Sequence, residues 1–131
     1  MNQERTMLIN LTSLKSVLQN NVCEIKFVRR IPRPGRPPFR RMLCTTSPAV
    51  LNSVNGRITL NYRPSTKPLK YDPNQKSLVI AWDIFMQDYR CVNTNSCDLI
   101  TSIPAGDAFW TYFQKNLIKL TTAQKLAFMD S

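Results

Sequence analysis

The stretch VCEIKFVRRIPRPGRPPFRRMLCT, residues 22–45, decides how the chain folds. Its opening alternates, with Cys23, Ile25 and Phe27 on one side and Glu24, Lys26 and Val28 on the other. A period of two is that of a half-buried strand, so residues 22–30 are predicted to form one. Residues 31–38 then hold four prolines. Proline has no N–H to give to a ladder, so this segment is expected to leave the sheet as an extended arm. Residues 39–45 return as a second strand, which makes the whole a hairpin with an oversized basic tip.

Upstream, Thr12 is placed to cap a short helix over residues 12–20, with Leu14, Val17 and Leu18 at helical spacing and Asn20-Asn21 ending it. Downstream, Ser47-Pro48 opens a turn or two of helix through Leu51. Asn55-Gly56 reads as a tight turn, followed by a strand over residues 57–62 with Ile58, Leu60 and Tyr62 on one side. Pro64, Pro68 and Pro73 mark a loop. Residues 78–85, nearly continuous and apolar through Trp82, form the strongest strand and are expected to lie centrally. Gln87-Asp88 turns the chain into a strand at 89–92, and a last strand covers 97–103 before Pro104-Ala-Gly106 breaks it. Asp107 is placed to cap an amphipathic helix bearing Phe109, Trp110, Phe113 and Leu117, and a shorter helix starts at Thr122. Helix, about five short strands, helix describes a mostly β fold, a small bent sheet or barrel. The 131 residues fit one domain: helix 12–20, sheet 22–103 with its arm at 29–41, and helices within 106–129.

A set of short segments recurs in a recognisable order. They are Leu14-Lys-Ser-Val-Leu18, residues 22–28, Arg41-Met-Leu-Cys-Thr45, Val79-Ile-Ala-Trp-Asp83 and Asp88-Tyr-Arg90. The series resembles the Sm-like SH3 β-barrel family, the WYL-type small barrel carried by tailed phages and large DNA viruses, over residues 14–100. In that pattern a helix precedes a strand, a Gly turn and Arg-x-Met-x-Cys-Thr, and a long loop leads to a Trp-Asp strand and a Tyr/Trp-Arg strand. The resemblance implies a small Sm/SH3-like barrel and a viral setting; it implies little about activity. Two features depart from it: the Gly turn is expanded into the Pro/Arg arm, and the C-terminal helix is added.

Charge points to a class of partner. Eighteen Lys and Arg stand against eight Asp and Glu, a net charge of +10. Eleven of the basic residues fall between positions 25 and 70, a span with no acidic residue at all. A surplus of this size suggests a polyanion, either nucleic acid or an anionic surface. Arginines held apart by proline present their forks outward for phosphate oxygens, so Arg29, Arg30, Arg33, Arg36, Arg40 and Arg41 are nucleic-acid-binding candidates. Residues 33–37 resemble the Arg-Gly-Arg-Pro core of an AT-hook with Pro34 inserted. Arg57, Arg63, Lys67 and Lys70 extend the basic set along the following loop, and Tyr62, Tyr71 and Tyr89 are candidates for stacking on bases. The plainer readings are a solvated, stiff tip, or arginines packed on a neighbouring subunit. Trp82 is read as core. The stripe of Phe109, Trp110, Phe113 and Leu117 either covers an open end of the sheet or docks on another copy or another protein.

Catalysis is not expected. The chain has no His, so a Cys nucleophile lacks its base. Asp83 and Asp88 flank a turn, where capping and a salt bridge to Arg90 are the ordinary roles. Cys23, Cys44, Cys91 and Cys97 include no C-x-x-C pair, so neither a metal nor any other cofactor is expected, and Cys23 and Cys44 are read as buried apolar groups. With no signal-peptide pattern and no apolar run of about 18 residues, no membrane partner is expected and the setting is intracellular, an infected host cell or the virion. The leading expectation is a viral nucleic-acid-binding accessory protein acting on DNA or RNA with low sequence specificity. The alternative is a virion structural protein, a minor capsid or cement component whose arm and C-terminal helix dock on neighbouring viral proteins, with oligomerisation open to it.

Overall fold

The computed structural model describes residues 7–8, 11–29, 31–64 and 78–131. In chain order these form β1 (Met7–Leu8), α1 (Leu11–Asn20), β2 (Asn21–Val28), β3 (Phe39–Thr45), α2 (Pro48–Leu51), α3 (Val54–Ile58), β4 (Leu78–Asp83), β5 (Asp88–Asn93), β6 (Cys97–Pro104), α4 (Asp107–Tyr112) and α5 (Thr122–Met129). A 3-10 turn at Thr94–Ser96 joins β5 to β6, and a π-helical turn at Phe113–Leu117 continues α4. The fold is a small α+β one, in which a single antiparallel sheet runs in the order β1-β6-β2-β3-β4-β5.

The alternation in β2 sets the two faces. Cys23, Ile25 and Phe27 enter an apolar interior with Leu14 and Leu18 of α1, Met42 and Cys44 of β3, Val79 and Ala81 of β4, Val92 of β5 and Cys97 of β6. The opposite face carries a second core, in which Val22, Leu43 and Trp82 meet Val50, Leu51 and Leu60 and the helical residues Phe109, Phe113 and Leu117. The sheet is therefore covered on both sides where β3 and β4 cross it. That is why Met42, Leu43, Cys44 and Thr45 are buried in succession.

Two irregularities bend the sheet. Between β2 and β6 the pairing passes from Glu24–Thr101 to Ile25–Leu99, so Ile100 has no opposite number, and a bulge of this kind sharpens twist. Between β3 and β4 only Cys44–Asp83 and Thr45–Trp82 pair, after which the strands part. Thr45 ties this junction to the end of α1. Its hydroxyl donates to the carbonyl of Leu18 or Asn21, at 3.1 and 2.8 Å, and accepts from the Ser47 N–H at 3.0 Å.

Three local readings of the sequence need correction. The predicted strand at 57–62 is absent, because Val54–Ile58 is a helix. The Ser53 hydroxyl caps it by accepting from the Gly56 N–H at 2.9 Å, a Ser cap that outweighs the Asn55-Gly56 turn signal. Gly56 is needed there for space, since a Cβ would lie 2.0 Å from the Val50 carbonyl oxygen. Ile58, expected inward, is 77% exposed, while Leu60 is buried. At the other two sites a cap moves: α1 begins at Leu11, so Thr12 lies inside it, and Asp107 is the first residue of α4 with Gly106 as its cap.

Candidate functional site

The Pro/Arg segment leaves the ladder between β2 and β3 as expected, but as a folded turn and not as an extended arm. Arg33-Pro34-Gly35-Arg36 is a tight turn, with Gly35 at φ +75° and the Arg36 N–H donating to the Arg33 carbonyl at 3.2 Å. Pro followed by Gly at the two central positions is the type II turn signature, the signal in the sequence that reverses the chain here. The Arg29 N–H then donates to the Pro38 carbonyl at 2.8 Å and closes the tip.

Most of the arginines in the segment are committed within the chain. Arg36 makes a two-pronged contact with Asp130, at 2.8 and 2.9 Å, and Arg29 reaches the same carboxylate at 2.9 Å while its Nε donates to the Pro37 carbonyl at 3.1 Å. Hydrogen bonding and charge from Arg36, with Arg29 beside it, hold the Asp130 carboxyl below the usual carboxylate range. Arg41 lies 3.1 Å from Glu24, donates to the Ser131 hydroxyl at 3.1 Å and sits over the Phe128 ring. Arg40 is buried and pairs with Asp83 of β4. The forks expected to stand outward at Arg29, Arg36, Arg40 and Arg41 thus staple the tip to β4 and to the end of α5. Arg33 remains exposed.

Four arginines nevertheless converge. Arg29 and Arg33 from the tip, Arg40 from β3 and Arg90 from β5 line one cavity of about 220 Å³, together with Phe27, Ile31 and Cys91. Among the described residues no carboxylate lines it. Burial, then the charges of Arg90 and Arg29, pull the Arg40 guanidinium below its usual value, and Asp83 opposes them. Burial likewise pushes Asp83 up, against the N–H groups of Met86 and Phe85, which its Oδ1 accepts at 3.0 Å each. Desolvation outweighs pairing for both partners, as a buried ion pair permits. Arg90 had no place in the binding set read from the sequence. It is brought in by the β4–β5 pairing, where it stands opposite Ala81.

The aromatic candidates lie on the other face of β5, since Tyr89 and its neighbour Arg90 point to opposite sides of the strand. Tyr62, Trp82 and Tyr89 meet edge to face, with ring centroids 5.1, 5.0 and 6.1 Å apart. Trp82 is core, as read, and donates to the Leu60 carbonyl at 3.2 Å. The Tyr89 and Tyr62 hydroxyls are 3.0 Å apart, and burial with this bond pushes Tyr62 up to about 12. Both tyrosines are half-buried and locked on one another, so neither presents a bare ring face as expected for stacking. Arg63 and Arg57 are exposed beside them. Arg30, Lys67, Lys70 and Tyr71 lie outside the described residues.

The C-terminal stripe is consumed internally. Phe109, Phe113 and Leu117 are buried in the second core with Trp110 packed against it, so they close the sheet rather than offer a docking face. Asp88 pairs with Arg90 at 3.0 Å as the sequence suggested, whereas Asp83 takes Arg40 instead. Among the described residues no group of three or more His, Cys, Asp or Glu is placed to hold a metal ion, and no helix is long and apolar enough to cross a membrane. Comparison with protein-family models, with curated proteins and with solved structures returns no match.

Proposed function

We propose that this protein is a nucleic-acid-binding accessory protein of viral origin that contacts phosphates and discriminates little between sequences. The observation that carries the reading is the convergence of Arg29, Arg33, Arg40 and Arg90 on one cavity that no carboxylate among the described residues lines, in a chain of net charge +10. Guanidinium forks match phosphate oxygens, and a concave basic surface concentrates the field on them. Exposed Arg57 and Arg63 add diffuse attraction. The same proposal takes the bent sheet as a partly open Sm/SH3-like barrel. Its support is that β2, β3, β4, β5 and β6 all contribute to one interior, with β2 reaching β5 across it. The virion structural alternative relied on a projecting arm and a free α4 stripe. The tip is tied to Asp130 and the stripe is buried, so neither supports it.

The test is fluorescence anisotropy with labelled single- and double-stranded DNA and RNA of several sequences across a salt series. Affinity is expected to be similar among sequences and to fall with salt, with a log–log slope of about 0.9 per phosphate neutralised on duplex DNA. Absence of any binding at moderate salt would sink the reading.

A further inference from the structure

The arginine-lined cavity differs from a basic stripe in three ways. First, it is an open depression bounded by arginines from three places, the hairpin tip, β3 and β5, around a common volume of about 220 Å³. Second, the carboxylates that restrain it stand behind it. Asp130 holds Arg29, Asp83 holds Arg40 and Asp88 holds Arg90, and none of the three lines the space. A guanidinium has five N–H donors, so an arginine fixed by one carboxylate keeps others to offer. Third, one donor is left over. Arg40 Nε is buried and has no hydrogen-bond partner among the described residues, on a side chain only 10% exposed. A buried unsatisfied donor is uncommon in folded proteins and points to a group that would satisfy it. Pressing like charges together costs stability, and an anion in the cavity would relieve that cost, while Arg40 Nε, itself buried, would reach the anion only after a small rotation of its side chain.

We infer that this cavity is a discrete site for one phosphomonoester dianion, the phosphate at the end of a strand rather than a phosphate within it. A monoester carries a charge of roughly −1.5 to −2 at neutral pH and three strong acceptor oxygens. A diester carries a single charge and two such oxygens, and it enters such a depression only with chain on both sides. Arg29, Arg33 and Arg90 supply the outer wall of the cavity and the more deeply buried Arg40 its inner one, with Phe27 beside them. The inference rests on the polyanion reading only in taking the phosphate to be carried by a nucleic acid, and the site itself can be tested without it.

The experiment uses the full chain and three kinds of probe in calorimetric titration: inorganic phosphate, phenyl phosphate, and one short oligonucleotide bearing a 5′-phosphate, a 3′-phosphate or neither. Arg33→Ala and Arg90→Ala are the variants, since both side chains lie at the rim and Arg40 cannot be changed without disturbing the core. Saturable one-to-one binding of phosphate and phenyl phosphate is expected. One end-phosphorylated oligonucleotide should bind about tenfold tighter than the bare one. Free phosphate should abolish that increment, and so should each variant while melting like the wild type. Equal binding of all three oligonucleotides with no heat from phosphate would overturn the site and leave general nucleic-acid binding standing. Phosphate binding lost in both variants, with no oligonucleotide bound, would support the site and remove the nucleic-acid reading. Phosphate binding unchanged in both variants would place the anion elsewhere and also overturn it.

Discussion

Arg40 of β3 and Asp83 at the end of β4 meet in a buried ion pair, 43 residues apart in sequence and beside the point where their strands part. Because desolvation shifts both groups toward neutrality, the pair fixes geometry more than it adds stability. Arg40→Met alone is expected to cost about 3–5 kcal/mol, since it strands a buried carboxylate. Asp83→Asn keeps the oxygen that receives the Phe85 and Met86 N–H groups, so the double variant Arg40→Met/Asp83→Asn should recover most of the loss. A carboxyl whose folded pKa is raised above its unfolded one destabilises the fold once ionised, so Arg40→Met should regain stability as pH falls through the Asp83 value. Urea melts of the two single variants and the double at several pH values provide the check, and strictly additive losses would refute the coupling.

Trp82 and Arg90 separate core from site. Trp82 is 4% exposed, wedged between Tyr62 and Tyr89 and bonded to the Leu60 carbonyl. Trp82→Ala should lower stability by about 3–5 kcal/mol, a large part of what a domain this size has. Arg90 makes a partly exposed pair with Asp88, the kind worth about 0–1 kcal/mol, so Arg90→Ala should melt almost normally and lose anion affinity. Paired thermal melts and anisotropy titrations decide it. A Trp82→Ala protein that folds normally but fails to bind would move Trp82 from the core to the binding surface.

The strands were legible because alternation and apolar runs report burial directly, as in residues 22–28 and 78–82. Cys23 and Cys44, assigned inward from alternation alone, stand opposite one another in the β2–β3 register. What stayed hidden depends on partners distant in the chain. Nothing near Arg36 announces Asp130, which is 94 residues away, and net charge alone does not distinguish an arginine that is paired from one that is not. The type II turn at Pro34-Gly35 and the Ser53 cap were visible in principle. Beside them the run of prolines and the Asn55-Gly56 pair point the other way.

The link between the tip and Asp130 should open in acid. A carboxyl held low in the folded state stabilises the fold fully above its ordinary value of about 3.9 and loses that contribution as pH falls through the lower folded value. The Arg36 Nε–H resonance, protected at neutral pH by Asp130 Oδ2, is therefore expected to broaden and shift only below about pH 4. Asp130→Asn should show the acid-like resonance at neutral pH, with β2–β3 amides unchanged. A resonance indifferent to both changes would mean the contact is not maintained in solution.

The thiols should sort by depth. Cys23, Cys44 and Cys97 are buried free thiols, and burial pushes Cys23 and Cys97 up to about 12 and raises Cys44 as well. Since the thiolate is the reacting species, all three should be alkylated only on unfolding, while half-exposed Cys91 is modified first in the native protein. Mass spectrometry after timed alkylation reads the order. Chelators are expected to leave the melting temperature unchanged, and stoichiometric zinc in the purified protein would contradict this assignment.

The position of β2 between β3 and β6 also sets the order in which the protein can assemble during synthesis. The β2–β3 hairpin can close once Thr45 has emerged, but the other edge of β2 has no partner until residues 97–104 follow. Through that interval the nascent chain carries a bare strand edge, the template on which two copies pair wrongly. Closure across so long a stretch is slow. The yield of folded protein should therefore depend on how quickly translation passes from residue 46 to residue 104.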